Sequence, residues 1–218
     1  MRYDTLLLQR VLSIAGYDPG PIDGLPGPKT RNALLAFQQG HDLTPDGVIG
    51  PQTRKALRPY RLQMLMPLVR EIAGYYQVDY LIILAMAQVE SYYGFLLNSQ
   101  GKGDNGHGHG LMQIDDRSWA SILGARVWWE DAWAVSVGTW IYKDYWQIVA
   151  RNNPHATPEQ IDWATVAAYN CGPGRVKIPP NADFDSPAYW HAIDHYTWGH
   201  NHAQRGRQAW REILEIIG

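Results

Sequence analysis

Residues 101–115 read GKGDNGHGHGLMQID, and this stretch decides the fold expected for the larger part of the chain. Its first ten residues include five glycines, so the backbone can approach a ligand without obstruction from a Cβ atom. The apolar run that follows, at residues 111–115, predicts a short strand. No Lys-Ser or Lys-Thr pair comes after the last glycine, so this is not a phosphate-binding loop. The stretch therefore predicts a ligand-facing loop that leads into a short β-structure.

The segment before this loop predicts a buried helix that ends on a carboxylate. Residues 80–91, YLIILAMAQVES, are apolar on nearly all sides, and Asp79 is placed to cap the N-terminus. Glu90 stands at the C-terminal end, where the helix dipole and apolar neighbours both disfavour ionisation of its carboxyl group. We expect a raised pKa for Glu90, as a general acid working near neutral pH requires. The alternative is that Glu90 only marks the point where the helix emerges into solvent.

An internal repeat organises the first quarter of the chain. Residues 23–34 and 46–57 both carry the pattern D-G-x-x-G-P-x-T-R-x-A-L, with an offset of 23 residues. In each copy Asp-Gly predicts a turn, Pro starts a helix, and Ala and Leu share one face of that helix. With a further helix over residues 5–15, the copies predict a three-helix module of roughly 60 residues. From the spacing alone, a helical repeat fragment without a ligand is an alternative.

Pro59 marks the predicted end of this module, because proline disfavours a helical conformation at the residue before it. We therefore divide the chain into domains of residues 1–59 and 60–218, joined by a short linker that keeps them close. An amphipathic helix over residues 62–74 is expected near the start of the second domain.

The composition excludes several classes of protein. A net charge of −2 and a pI near 6.4 argue against nucleic acid as a partner. The longest apolar run, residues 81–87, is much shorter than the roughly 20 residues of a membrane helix, so we expect no stable membrane association. The single cysteine rules out an intramolecular disulfide framework. We expect the protein to be a monomer.

Histidine pairs raise the question of a metal site. His107 and His109 alternate with glycine, and His200 and His202 form a second pair near the C-terminus. Two histidines without an obvious third ligand serve hydrogen bonding more often than metal binding. We therefore predict no metal ion and no cofactor.

The first quarter also carries GYDPGPIDG at residues 16–24 and a Phe37-Gln38 pair, besides the second copy of the repeat. Together these residues resemble the small peptidoglycan-binding domain of cell-wall enzymes, over nearly all of residues 1–58. The resemblance implies that bacterial peptidoglycan is the partner of this module.

Three segments of the remaining chain carry a second set of motifs. They are AQVES at residues 87–91 with Gly94 following, residues 103–115, and AYNCGPG at residues 168–174. They resemble the E-S, G-D-x-G-x-G-x-G-L-M-Q-x-D and A-Y-N-x-G-x-G signatures of goose-type lysozymes and soluble lytic transglycosylases, across about residues 70–215. The chain departs from the family pattern at Lys102, His109 and Cys171, where the family has Trp, an aromatic residue and Ala. These departures bear on sugar-subsite preference more than on reaction type.

The resemblance implies a mainly α fold: a small three-helix wall-binding domain, then an α-rich lysozyme-like domain with a short β-hairpin or β-sheet near the active site. Glu90 would be the general acid that protonates the leaving oxygen, and Asp104 and Asp115 would orient and deprotonate water. A lytic transglycosylase would need Glu90 alone, because the sugar's own hydroxyl attacks. The two aspartates favour hydrolysis, although Asp115 could also be the N-cap of a following helix.

The resemblance also implies residues that bind the glycan, namely Ser91, His109, Met112, Gln113, Tyr169 and Asn170. We expect Tyr169 and Asn170 at the end of a helix, where Tyr can hydrogen-bond the acid or a sugar and Asn offers a donor and an acceptor. Cys171 raises the alternative of a Cys-His peptidase or amidase, with His191 or His195 as the base. No signature around Cys171 supports that class, and we favour a small buried thiol in a turn.

The leading hypothesis is a two-domain hydrolase that cleaves the β-1,4 bond between N-acetylmuramic acid and N-acetylglucosamine, resembling modular phage endolysins. The alternatives are a lytic transglycosylase with 1,6-anhydro products and a non-catalytic wall-binding or tail-structure protein. Gln9 and Arg10 interrupt the first apolar run too early for a secretory signal. We therefore expect accumulation in the host cytoplasm until release, followed by action on the wall in the periplasm. An effector injected by a secretion machine would fit the same observation.

Overall fold

The computed structural model describes residues 2–124, 128–181, 183, 186, 189–190 and 201–217. Across them the chain forms eight α-helices of fully described extent and one three-stranded antiparallel sheet, as the predicted mainly α fold requires. The helices are α1 (Tyr3–Ile14), α2 (Pro28–Gly40), α3 (Pro51–Tyr76), α4 (Tyr80–Ser91), α5 (Asp116–Leu123), α6 (Asp131–Asn152), α7 (Pro158–Cys171) and α8 (His202–Ile217). The strands are β1 (Lys102–Gly103), β2 (Gly108–His109) and β3 (Ile114–Asp115). None of the described helices has the length and hydropathy to span a membrane.

The chain divides into two compact units. The first comprises Met1–Leu68 and Glu90–Ala134, and the second comprises Val69–Val89 and Val135–Gly218. This division differs from the predicted domains of residues 1–59 and 60–218. The predicted boundary follows the sequence modules and stays a prediction.

The repeat builds the beginning of the first unit. Its two copies start α2 at Pro28 and α3 at Pro51, at the prolines that the sequence marks as helix starts. The first three helices share an apolar core around Leu12, Phe37 and Leu57, each with no exposed surface. The predicted three-helix module is therefore confirmed.

A buried glutamine fixes the Asp-Gly turn in each copy of the repeat. Oε1 of Gln9 accepts a hydrogen bond from the N–H of Gly24 (2.8 Å), and Oε1 of Gln38 accepts one from the N–H of Gly47 (2.9 Å). Nε2 of each glutamine donates to the aspartate of its own turn, at 3.2 and 2.8 Å. Both glutamines are almost fully buried. Each copy of the turn therefore makes equivalent hydrogen bonds to a buried glutamine of its own.

The sequence predicts that the helix starting at Pro51 ends before Pro59. In the structure α3 continues through Pro59 to Tyr76. An interior proline removes one helical hydrogen bond and crowds the preceding turn. Here Pro59 is exposed, while Leu57 and Leu62 on either side are buried. Packing of the flanking residues therefore overrides the local preference, and the expected linker is wrong.

Arg61 lies just beyond this proline and connects distant parts of the first unit. Its guanidinium donates to both carboxylate oxygens of Asp131 (2.8 and 2.6 Å), and its Nε donates to the carbonyl oxygen of Tyr93 (3.1 Å). Burial opposes the charge of Arg61, but the pairing with Asp131 outweighs burial and raises the pKa of the guanidinium. A cut after residue 59 would separate the N-terminal helices from this buried pair.

In the second unit, α7 and α8 pack closely. Thr157 and Gln160 form a capping box at the start of α7: the Thr157 hydroxyl accepts from the N–H of Gln160 (3.2 Å), and Oε1 of Gln160 accepts from the N–H of Thr157 (2.9 Å). Gly206 on α8 faces Val166 and Trp163, and a Cβ at this glycine would lie 3.1–3.2 Å from their side chains. The glycine therefore permits the close approach of the two helices.

Candidate active site

α4 carries Glu90 in its last turn, as the sequence predicts. The helix covers residues 80–91, and Oδ1 of Asp79 accepts a hydrogen bond from the N–H of Leu81 (2.8 Å) at its start. Residues 82–87 are buried, which confirms the predicted buried helix. The side chain of Glu90 is half-buried. Its role as the general acid stays a prediction.

Ser91 fastens the end of α4 to the glycine-rich loop. Its hydroxyl donates to the carbonyl oxygen of Leu111 (2.7 Å) and accepts from the N–H of Gly94 (2.8 Å). Gly94 has a φ of 90°, and a Cβ there would overlap the hydroxyl of Tyr3. The Ser and Gly of this motif therefore hold the loop at the helix end, next to Glu90.

The glycines of the loop make room for one side chain, that of Gln113. β2 pairs with both β1 and β3, and a Cβ at Gly103 or Gly108 would overlap Oε1 of Gln113. Nε2 of Gln113 donates to the carbonyl oxygen of Gly110 (2.8 Å). The sequence predicts a loop open to a ligand. At Gly103 and Gly108 the side chain of Gln113 occupies the space that a ligand would need.

Arg117 joins the two aspartates that the sequence singles out. Its Nη2 donates to Oδ2 of Asp104 (2.7 Å), and its Nε donates to Oδ1 of Asp115 (2.8 Å). The side chains are 58% exposed for Arg117, 55% for Asp104 and 34% for Asp115. The three residues therefore form a solvent-facing pair of carboxylates bridged by one guanidinium.

Asp115 also caps α5, which confirms the N-cap role considered for it. Its Oδ1 accepts from the backbone N–H of Arg117 (3.1 Å), and its Oδ2 accepts from the hydroxyl of Ser118 (3.2 Å). Burial would raise the pKa of the Asp115 carboxyl, but the hydrogen bonds and charge of Arg117 outweigh burial and hold that pKa below its ordinary value. Capping is compatible with a second role in catalysis.

Asp104 is less constrained than Asp115. It begins a 3-10 turn, Asp104–Gly106, and its φ of 44° lies in the left-handed region. Within the described part of the chain its Oδ2 bonds Arg117, and its Oδ1 has no hydrogen-bond partner. Asp104 therefore keeps one carboxylate oxygen available to an incoming molecule.

Asp116, the first residue of α5, hydrogen-bonds the two histidines that flank Gly108. Nδ1 of His107 donates to its Oδ1 (2.8 Å), and Nε2 of His109 donates to its Oδ2 (3.0 Å). The hydrogen bonds from His109 and His107 hold the pKa of Asp116 at about 2. Across the described ranges, no group of three or more His, Cys, Asp or Glu side chains could hold a metal ion. These histidines therefore fix β2 to the start of α5.

The chain matches two protein-family models. A family model described as a peptidoglycan binding domain matches residues 2–57, and the lysozyme g family model matches residues 39–194. The chain belongs to the lysozyme g family. Lysozyme g of Struthio camelus is 33% identical over 110 residues, which are 50% of this chain and 52% of that protein. Lysozyme g of Casuarius casuarius is 31% identical over 116 residues (53% and 60%), and lysozyme g of Cyprinus carpio is 36% identical over 107 residues (49% and 55%). The chain thus spans about half the length of these curated relatives.

In this lysozyme g-family chain, four of the predicted glycan-binding residues lie in the first unit. Ser91 and Met112 are fully buried, and His109 is 5% exposed. The ring of His109 packs edge-on against Trp128, with 5.1 Å between centroids. Gln113 is half-buried. Contact of these four residues with a glycan stays a prediction.

The other two predicted glycan-binding residues lie in the second unit. Tyr169 and Asn170 occupy the last turn of α7, as expected, where Tyr169 is half-buried and Asn170 is exposed. Cys171 ends the helix, with its thiol 3.6 Å from the carbonyl oxygen of Gly172. His191, His195 and His200 lie outside the described residues, so the Cys-His alternative is not tested by the geometry.

Arg117 and Asp116 are the residues of this lysozyme g-family site that the sequence does not single out. Both directly follow Asp115, so an unusual run of three charged side chains, D-D-R, was the available signal. The run does not reveal that Arg117 reaches back to Asp104 or that Asp116 turns to the histidines.

Proposed function

We propose that this protein is a peptidoglycan hydrolase that cleaves the β-1,4 bond between N-acetylmuramic acid and N-acetylglucosamine. Membership of the lysozyme g family supports the reaction class, and the match to a peptidoglycan binding domain supports the wall polymer as the partner. One observation carries the proposal, the bridge that Arg117 makes between Asp104 and Asp115. Asp104 belongs to the same loop that Ser91 ties to the helix of Glu90.

The carboxyl groups have environments suited to different tasks. An inverting glycosidase needs a protonated carboxyl to release the leaving oxygen and an ionised one to activate water. Glu90 is half-buried at the C-terminal end of an apolar helix, which suits the protonated group. Arg117 keeps the pKa of Asp115 low, which suits an ionised group. We therefore assign Glu90 as the acid and the aspartates to the attacking water.

Asp104 is the better candidate for the base. Both oxygens of Asp115 already accept hydrogen bonds, from Arg117 and from Ser118. Asp104 shares only one oxygen with Arg117 among the described residues, so its other oxygen can take the proton of a water molecule. In this proposal Asp115 holds Arg117, and Arg117 aims Asp104.

Glu90→Gln tests the central assignment, with Glu71→Gln as its matched control because Glu71 is exposed. Loss of a general acid should lower the rate roughly 10²–10⁴-fold. Turbidity of purified sacculi and of permeabilised Gram-negative cells measures the rate. More than about a tenth of wild-type activity in Glu90→Gln would move the acid to another residue. Full inhibition of wild type by iodoacetamide, with Glu90→Gln active, would instead support the Cys171 alternative.

Product analysis separates hydrolysis from transglycosylation. Hydrolysis leaves reducing N-acetylmuramic acid ends, whereas transglycosylation leaves 1,6-anhydro ends that are lighter by one water. We expect reducing ends by mass spectrometry, a strong rate loss in Asp104→Asn and a smaller one in Asp115→Asn. Asp144→Asn, at an exposed position of α6, is the matched control. Anhydro products with both variants fast would leave Glu90 as the sole catalytic carboxyl.

Wall binding is tested on the full chain, because Arg61 anchors the N-terminal helices to residues near 93 and 131. The Glu90→Gln protein should sediment with purified sacculi without degrading them. We further propose the role of a phage endolysin, held in the host cytoplasm and then released to the wall. Cell fractionation before and after membrane permeabilisation tests that route. Binding to sacculi without any glycan cleavage by wild type would favour a non-catalytic wall protein.

A further inference from the structure

The second unit contains a cavity of about 350 Å³, a volume typical of small-molecule sites. Its wall is formed by the start of α4, the first turns of α7 and the second half of α8. Its charged and aromatic lining residues are Asp79, Glu159, Asp162, Trp163, Arg207, Trp210 and Arg211. The cavity therefore combines two indole rings with charges of both signs.

This cavity is separate from the predicted glycan-binding end of α7. Asp162 precedes Tyr169 by seven residues on the same helix, which is about 10 Å along its axis. Glu159 lies almost another turn further away. The cavity is therefore a second place where a ligand can bind.

Asp162 is the fixed group of this cavity. Its Oδ1 accepts two hydrogen bonds, from the hydroxyl of Tyr142 (2.9 Å) and from Nε1 of Trp146 (2.8 Å). Among the described residues its Oδ2 has no hydrogen-bond partner. Burial raises the pKa of Asp162, and the neighbouring carboxylates add to the shift. A cationic partner at this half-buried carboxylate would offset its desolvation.

The surroundings of Asp162 indicate what that partner is. Asp79 and Glu159 add two carboxylates, and the indole side chains of Trp163 and Trp210 line the same cavity. Carboxylates and indole faces both attract an ammonium group. Arg211 forms no ion pair with these three carboxylates in the described structure, so its guanidinium can bind a carboxylate of the ligand.

We propose that this cavity binds a zwitterionic amino-acid group, with its ammonium at Asp162 and the Trp rings and its carboxylate at Arg211. On a wall polymer such a group is the free end of a diamino-dicarboxylic acid residue in a peptide stem, which keeps one amine and one carboxylate outside the peptide bonds. The assignment of the zwitterion to a peptide stem rests on the proposed function, whereas the preference for a zwitterion rests on the cavity. The enzyme would then hold the peptide of its substrate in the second unit, apart from the cleavage of the glycan.

The test titrates full-length Glu90→Gln protein, which should not consume the ligand, by calorimetry. The probes are a muropeptide whose stem ends in a diamino acid with a free amine, the same muropeptide N-acetylated at that amine, the peptide-free disaccharide, and free diaminopimelate. We expect binding of the first probe, at least tenfold weaker binding after acetylation, and detectable binding of free diaminopimelate. The disaccharide should bind no more tightly than the acetylated probe.

Variants locate the site. Asp162→Asn preserves the shape of the side chain, and Arg211→Met changes an exposed residue, so at least one should fold normally. We expect each to weaken muropeptide binding at least tenfold, while Asp144→Asn and Arg151→Met, on exposed positions of α6, bind as the parent does.

Three results would overturn the inference: equal binding after acetylation, equal binding of the disaccharide, or parental affinity in both cavity variants. If wild type cleaves glycan but both cavity variants bind the muropeptide as tightly as the parent, this inference fails and the proposed function stands. Muropeptide binding in a wild type that cleaves no glycan defeats only the proposed function.

Discussion

Replacing Arg117 by Met tests whether one guanidinium holds the two aspartates for catalysis. The substitution removes the Nη2 bond to Asp104 (2.7 Å) and the Nε bond to Asp115 (2.8 Å). It keeps the backbone N–H of residue 117, which donates to Oδ1 of Asp115 (3.1 Å) and caps α5. The helix should therefore form as before, and the effect should be confined to the two carboxylates.

The cost in stability should be small. Both lost ion pairs are exposed, with 58% of the Arg117 side chain accessible. Exposed ion pairs contribute little to folding stability because solvent screens them, so Tm should fall by at most about 2–4 °C.

The effect on activity should be larger than the effect on stability. A catalytic group displaced by about 1 Å can lose on the order of 100-fold in rate, and we expect kcat to fall at least about tenfold. Burial raises the pKa of Asp115 and Arg117 lowers it by more, so removal of Arg117 raises that pKa. A carboxylate with a higher pKa takes up its proton at a higher pH during acidification. The carboxyl pKa of Asp115, followed by NMR titration, should therefore rise in Arg117→Met.

Arg117→Lys is the matched control, because it keeps the charge but cannot bridge two carboxylates. The pKa of Asp115 in Arg117→Lys should lie closer to that of wild type than the pKa in Arg117→Met, while kcat stays low. The assays are glycan cleavage and NMR titration of Asp115, with Tm measured on the same samples. Wild-type kcat and an unmoved Asp115 pKa in Arg117→Met would refute the positioning role. A fall in Tm above about 10 °C would assign Arg117 to the fold instead.

Two further substitutions probe the glycine-rich loop. Gly108→Ala places a Cβ against Oε1 of Gln113 and should destabilise the protein by about 1–3 kcal/mol in denaturant titration, whereas Gly74→Ala, with open space around it, should not. Asp116→Asn removes a carboxyl whose pKa is about 2 in the folded protein, below its ordinary value. Its stabilising contribution is present above about pH 4 and lost as the pH falls towards 2. The wild-type advantage over Asp116→Asn should shrink across that window, and a constant difference would contradict this interpretation.

The parts of the fold that the sequence predicts correctly are those determined by neighbouring residues. α4 covers residues 80–91 as expected, because Asp79 and a continuous apolar run both act within one helix. The helices of the repeat begin at Pro28 and Pro51 for the same reason. Local signals of this kind are complete in the sequence itself.

The parts that the sequence does not predict depend on contacts between distant residues. α3 passes through Pro59 because buried residues hold both sides of it, and the partner of Arg61 is 70 residues away. Gln9 reaches the first Asp-Gly turn 15 residues later through its side chain. Neither contact has a local signature, since each depends on which surfaces meet after folding.

His109 departs from the family pattern in a way that the sequence shows, but its contacts are visible only in the structure. The sequence marks it as a change from an aromatic residue that bears on sugar preference. In the structure the ring is buried against Trp128 and donates to Asp116 (3.0 Å). A hydrocarbon ring could fill the same space but could not hydrogen-bond a carboxylate, and Asp116 would then carry its charge beside Asp115 without this donor. Positions 109 and 116 are therefore coupled. The first role of the histidine at position 109 is the hydrogen bond that attaches β2 to the start of α5.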